Sequence, residues 1–371
     1  MTKKFLALMT AAIVAAVASS APAQTVRPSA QAEWERVLEA AKKEGRVVAS
    51  IPPSAELRKG LEEAFSKRFG IVLEPVLSRG ANLIGRMVDE YKAGVRYFDL
   101  HIGGTDSAVK GLLPEAILEP VEPWFIVPEV KEAKNWWGGH IWIDRAKRFI
   151  YPFDAYQTQT LTYNSDLVKP EEVRSFDDFL NPKWQGKIGL SDPRTPGSGA
   201  SVWSYMLYIK GEEYLKKLVA QKLFISRDLR LLAESLVKGG VSLTMGIGYA
   251  EFNPFIKAGL PVKPLPIPKE GIYATAGYGN LTIIKTAPHP NAAKLFVNWF
   301  LGKEGQEIFS RAMGEATRRL DVETKWLKEF GVLAAKDGLT LEQYYKMENQ
   351  SEDKVYSVRD PGAALARKLL D

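Results

Sequence analysis

The 371-residue sequence contains no cysteine. That absence removes disulfides, thiolate metal sites, cysteine nucleophiles and a lipidated cysteine from consideration. Histidine is nearly as scarce, occurring only at His101, His140 and His289. His101 falls inside a short apolar run and His289 within Pro288-His289-Pro290, places that suit core or capping duties better than catalysis. No Gly-x-Ser-x-Gly elbow, His-Glu-x-x-His pair or Walker loop occurs, so the common signatures of esterases, zinc proteases and nucleotide hydrolases are missing. Only one long apolar run is present, Phe5 to Val17, and it is shorter than the roughly 20 residues a spanning helix needs. With Lys3-Lys4 before it and Ala21-Pro22-Ala23 after it, residues 1–23 read as a secretory signal peptide cut after Ala23. Excess charge of one sign is also scant. The formal net charge of +6 loses two units when Lys3 and Lys4 leave with the leader, and the mild excess that remains favours anions without implying nucleic acid.

What is present is an ordinary globular composition, 46% hydrophobic and 25% charged, in a chain long enough for about two cores. Trp34, Val37, Leu38 and Ala41 recur at helical spacing, and Gly45 ends that run where a left-handed residue is often required. A strand over Arg46–Ile51 stops at Pro52-Pro53, and Ser54 is placed to cap the next amphipathic run. Strands over 71–77 and 98–102 alternate with helices, which predicts a parallel βαβ sheet. Trp136, Trp137 and Trp142 read as core or turn residues. The run 158–163 reads as a crossing into a second lobe, and Tyr273–Ile284 as a long returning strand.

The stretch 162–201 organises the rest. It holds a strand ending in Tyr163-Asn164, an acidic helix start at Ser175, Asn181-Pro182-Lys183-Trp184-Gln185-Gly186-Lys187-Ile188, and a Gly/Ser turn over 192–199. Further on, Asn291 to Leu301 followed by Gly302-Lys303-Glu304-Gly305-Gln306 forms a second distinctive run. Together these closely resemble the extracellular solute-binding proteins of bacterial ABC importers, in the branch that contains the ferric-iron and sugar-phosphate binders. The resemblance covers residues 30 to about 320. It implies an α/β chain of the type II periplasmic-binding-protein fold, with two lobes, a hinge and a central ligand cleft. Lobe one would comprise 25–160 plus about 275–371, although the part after 322 lies beyond the resemblance; lobe two would be 161–274. The implied function is that of a periplasmic, monomeric substrate-binding component without cofactor or catalysis. Such a protein captures a small anionic organic solute by lobe closure and delivers it to membrane permease subunits.

In open α/β sheets ligands bind beyond the carboxyl ends of the strands. That places Ser54, Arg79, Gly104 and Thr105 at the site from lobe one, and Thr195, Ser198 and Gly199 from lobe two, with the rings of Tyr249 and Tyr278 completing it. The turn 195–201 reads as an anion receptor, because glycines allow close backbone approach and the free N–H groups of the following helix point outward. Two alternatives stand beside this reading. One is a ferric-iron binder of the same fold. The iron binders typically use a histidine near the first strand, a carboxylate after the third and paired tyrosines. Here the first-strand loop is Ile51-Pro52-Pro53-Ser54, the carboxylate position falls near Gly104, and Tyr249 stands singly, with Asp106 and Glu251 as displaced candidates. The other is a periplasmic hydrolase using Ser198, whose nearest base in sequence is Asp192.

Overall fold

The computed structural model describes residues 29–77, 81–158 and 160–371. The leader at 1–23 and the expected site residue Arg79 lie outside these residues. Helix α1 (Ala30–Glu44) starts where the Ser29 hydroxyl accepts the Ala32 N–H at 3.2 Å, and it stops at Gly45, whose φ of 73° is the left-handed cap read from the sequence. Strand β1 (Arg46–Ile51) follows, then α2 (Ala55–Phe69), β2 (Val72–Leu77), α3 (Ala81–Lys92) and β3 (Leu100–Gly103). As the alternation predicts, β1 lies between β2 and β3 and is parallel to both. Strand β4 (Leu118–Glu119), helix α4 (Pro128–Lys131) and strand β5 (Tyr151–Pro152) close this half. Trp136 is buried there, its indole N–H donating to the Val130 carbonyl at 2.9 Å.

The chain then crosses. Strands β6 (Tyr156–Thr158) and β7 (Leu161–Asn164) belong to different sheets, so the run read as one strand is the passage between them. A second sheet grows from β7, β8 (Ile188–Ser191), helices α5 (Ser198–Lys210) and α6 (Glu212–Val219), β9 (Phe224–Ser226), α7 (Leu229–Val237), β10 (Leu243–Met245), α8 (Tyr249–Lys257) and β11 (Val262–Pro264). Its order is β11-β7-β10-β8-β9, with β8 parallel to β9 and β10, and β7 antiparallel to β10 and β11.

The return differs from the single strand expected over Tyr273–Ile284. It is β12 (Ala274–Thr275) and β13 (Asn280–Ile284), separated by a turn in which the Gly279 N–H donates to the Ala276 carbonyl at 2.6 Å. Side chains from elsewhere impose the break. A Cβ at Gly277, where φ is 54°, would collide with the Tyr156 hydroxyl and Glu315, and one at Gly279 would collide with Asp154. Strand β13 then enters the first sheet antiparallel to β3, β4 and β5.

Helices α9 (Pro290–Phe300) and α10 (Lys303–Met313) cover that sheet, and β14 (Val332–Ala334) joins β6 and β12 in a small antiparallel sheet. The last elements are α11 (Leu341–Met347), α12 (Glu352–Lys354) and α13 (Asp360–Leu370). The chain's end does not stay with lobe one, as the sequence reading had it. Leu365 and Ala366 are buried in the second core, and the Trp203 indole N–H of α5 donates to the Gly362 carbonyl at 3.0 Å. The reason is physical: α13 carries an apolar stripe, and α5 is buried all round from Gly199 to Met206, so that part of α5 takes cover on both faces.

Each of the two larger sheets has its own core. Val47, Ala49, Leu100, Ile102, Leu281 and Ile283 pack with Phe296 and Phe300 around the first, and Leu161, Ile188, Leu190 and Leu243 pack with Trp203 and Met206 around the second. Burying one such side chain contributes about 1.5–3 kcal/mol.

Candidate functional site

A cavity of about 320 Å³ lies where the two sheets face each other. Its walls are the turn after β3, the 195–198 turn with the start of α5, the start of α8, the turn between β12 and β13, and Gln350 and Arg359 from the chain's end.

On the second-sheet wall, α5 is preceded by Gly197 and α8 by Gly248, neither of which has a side chain to cap the helix. The first N–H groups of a helix have no acceptor within it, so both starts present donors and partial positive charge to the cavity. The turn leading to α5 is braced from behind. Arg194 donates to both Asp192 oxygens at 2.8 and 3.0 Å, and Arg227 adds a third contact at 3.0 Å. Burial alone would raise the Asp192 carboxyl, but these arginines outweigh it and hold it at about 2. The Thr195 hydroxyl donates to the Asp192 carbonyl at 3.1 Å, and the Ser198 hydroxyl donates to the Gly246 carbonyl at 2.6 Å. Gly199 faces inward: a Cβ there would collide with the Ser191 backbone, so its smallness serves the packing of α5 on β8 and not the approach of a ligand.

On the first-sheet wall, His101 sets the loop after β3. The Ser107 hydroxyl donates to the Gly104 carbonyl at 2.6 Å, so at 2.9 Å it must accept a proton from His101 Nε2. Nδ1 is then the acceptor for the Ser50 hydroxyl, also at 2.9 Å. Complete burial lowers this imidazole to about 4, which keeps it neutral. Gly103 is obligatory beneath it, since a Cβ would strike the ring. Thr105 lines the cavity, but its hydroxyl donates to Gln350 Oε1 at 3.3 Å, as does that of Thr275 at 3.2 Å. A residue from the chain's end thus takes up the donors of two cavity threonines.

Glu315 lines the cavity, and the buried Asp154 interacts with it. Burial pushes Asp154 and Glu315 well above the usual carboxylate range, and the negative charge of Asp154 raises Glu315 further. Glu315 accepts the Tyr278 backbone N–H at 2.9 Å. The Asp154 oxygens meet no donor among the described residues, which agrees with a carboxyl that burial keeps protonated.

Of the residues expected from the sequence, the cavity brings together Gly104, Thr105, Thr195, Ser198, Tyr249 and Tyr278. Two stand elsewhere. Ser54 does not line the cavity, and its hydroxyl accepts the Leu57 N–H at 3.1 Å as the cap of α2; Gly199 is a packing position. Tyr249 meets Phe330 edge-on, with ring centroids 4.6 Å apart. Sequence reasoning missed Arg227, Glu315, Gln350 and Arg359. Only Arg359 carried any local signal, as a basic residue just before the Asp360-Pro361 helix start, and that pattern is too common to mark a site. Among the described residues no group of three or more His, Asp and Glu is placed to hold a metal ion, and no helix is long and apolar enough to cross a membrane.

Residues 107–307, more than half of the chain, match the family of bacterial extracellular solute-binding proteins, and the chain belongs to that family. An uncharacterized protein of Haemophilus influenzae is 28% identical over 145 residues, which are 37% of this chain and 40% of that protein, so the match spans well under half of the relative's length. Among solved structures, iron-bound HitA from Pseudomonas aeruginosa is similar with a TM-score of 0.65 at 15% identity, over 88% of this chain and 99% of its own. AfuA from Actinobacillus pleuropneumoniae, with exogenous fructose-6-phosphate bound, is similar with a TM-score of 0.60 at 16% identity, over 87% and 99%. Likeness at such identities is one of fold. The fold is the two-lobed α/β fold of the type II periplasmic binding proteins.

Proposed function

We propose that the chain is the substrate-binding component of a bacterial ABC importer. Exported by cleavage after Ala23, it works as a monomer in the periplasm, captures a small anionic organic solute in the cleft and hands it to the membrane permease. The observation that carries this reading is the convergence of two helix starts without side-chain caps, those of α5 and α8, on a cavity between two sheets. The cavity's volume is at the low end of small-molecule sites, about 300–1,000 Å³. The described residues of 25–160 with the return after 275 are read as one lobe and 161–274 as the other, hinged where the chain passes between the sheets, with the chain's end bridging both. Gly104, Thr195, Ser198, Tyr249 and Tyr278 contact the solute. Of the two ligands named for the similar structures, a sugar phosphate suits this cleft better than iron, because two helix starts face it and no group of three His, Asp and Glu side chains gathers among the described residues. Capture without catalysis is favoured by Ser198, whose proton goes to a backbone carbonyl, and by Asp192, which its arginines make too weak a base to activate a hydroxyl.

The test uses the solute recovered from the purified protein, returned to ligand-free protein. We expect one solute per chain, contraction of the protein in small-angle scattering, and recovery of the solute chemically unchanged. A converted product would make the chain an enzyme. Stoichiometric binding without contraction would remove lobe closure.

A further inference from the structure

Arg359 stands apart from the other charged residues of the cavity. It is only 7% exposed, it lines the cavity, and it comes from the end of the chain rather than from either sheet. Its Nη2 donates to Asp106 Oδ2 at 2.5 Å, whereas its buried Nε has no acceptor among the described residues. A buried N–H of a charged group ordinarily has an acceptor, and leaving it without one is costly.

The segment that carries Arg359 is fixed from both sides. Asp360 pairs with Lys110 near the first sheet, while Asn349 Nδ2 donates to the Ser201 carbonyl of α5 at 3.1 Å, and Gly362 accepts from Trp203. Both members of the Arg359–Asp106 pair sit at wide π-helical turns, Val355–Arg359 and Ser107–Leu112. Such turns are often found at functional sites. Ser198 and Ser201 of α5 line the same cavity, so the guanidinium and the uncapped helix start face one space.

We propose that Arg359 is the charged receptor for an oxyanion group of the solute, a carboxylate or phosphate, and that the C-terminal segment thereby completes the site. This rests on reading the cleft as a solute site. A guanidinium stays charged at any working pH and offers several donors in a plane, which suits such groups. Asp106 holds it in position and competes with the solute for it, so Asp106 lowers the affinity that Arg359 provides.

Calorimetric titration with inorganic phosphate and succinate as oxyanion probes, and with glucose as the neutral control, tests the proposal. Wild-type protein should take up at least one oxyanion and not glucose. Arg359→Gln should weaken that binding tenfold to a hundredfold, Arg359→Lys should restore part of it, and Asp106→Asn should bind as tightly as wild type or more so. Because removing one partner of a buried ion pair can unfold a protein, the Arg359→Gln/Asp106→Asn double variant is the control, and once folded it must show the same loss. Oxyanion binding that persists unchanged in the folded double variant overturns this inference and leaves the anionic-solute reading standing. Wild-type protein that takes up neither oxyanion overturns both.

Discussion

His101 shows how a residue that never touches solute governs the site. The neutral Nε2–H tautomer satisfies both its hydroxyl partners, and burial keeps it neutral down to about 4. Between its ordinary 6.5 and that value the unfolded chain binds a proton that the folded one does not, so this term of stability falls as pH falls through the window. Urea unfolding of wild type and His101→Gln should show it: from pH 7 to pH 5 the wild type should lose about 2 kcal/mol more than the variant. Equal losses would mean the imidazole is not held neutral. The Asp154–Glu315 pair acts with the opposite sign. Its folded carboxyls keep protons that the unfolded chain has released, so its share of stability is complete in acid and declines as pH rises through the raised values. The structural duty of His101 was legible from its place inside an apolar run. That of Gly199 was not: a glycine beside a ligand and a glycine beside a backbone look the same in sequence, and only the approach of Ser191 separates them.

At the scale of elements, local rules carried the reading wherever the cause of structure is local. Ser54 caps α2 and Gly45 closes α1, both through bonds within a turn. The returning strand was read too long because its break comes from Tyr156, Glu315 and Asp154, which are remote in sequence from Gly277 and Gly279. The end of the chain was misplaced for the same reason, since an amphipathic stripe does not say which core it covers. Helix α13 offers a direct test of the bridging role. Gly362 lies so close to Ser204 that a Cβ would collide with its side chain. Gly362→Val should therefore lift α13 from α5 while leaving both sheets intact. Hydrogen exchange should then speed up in 355–370 and in the 103–107 loop, which Arg359 and Gln350 hold. Faster exchange in α13 alone would show that the end of the chain merely covers α5.

For the whole molecule, two cores and two crossings leave a cleft whose walls come from the two larger sheets, the small sheet of β6, β12 and β14 and, as a third wall, the C-terminal segment. The two-lobe architecture was readable in advance because strands and helices alternate along the chain, and the runs at 181–188 and 291–306 lie within the stretch that matches the family. The cavity's third wall was not readable, because it depends on long-range pairs such as Arg359 with Asp106 and Gln350 with Thr105 and Thr275. The central claim is that this cleft captures one small organic anion. Native mass spectrometry of ligand-free protein, incubated with a small-molecule extract of bacterial cells, tests it most directly. The predicted spectrum shows a single added mass per chain, released on denaturation and identified by fragmentation as a solute bearing a carboxylate or phosphate. A bare polypeptide mass, a neutral or cationic solute, or the increment of a metal ion would contradict the account.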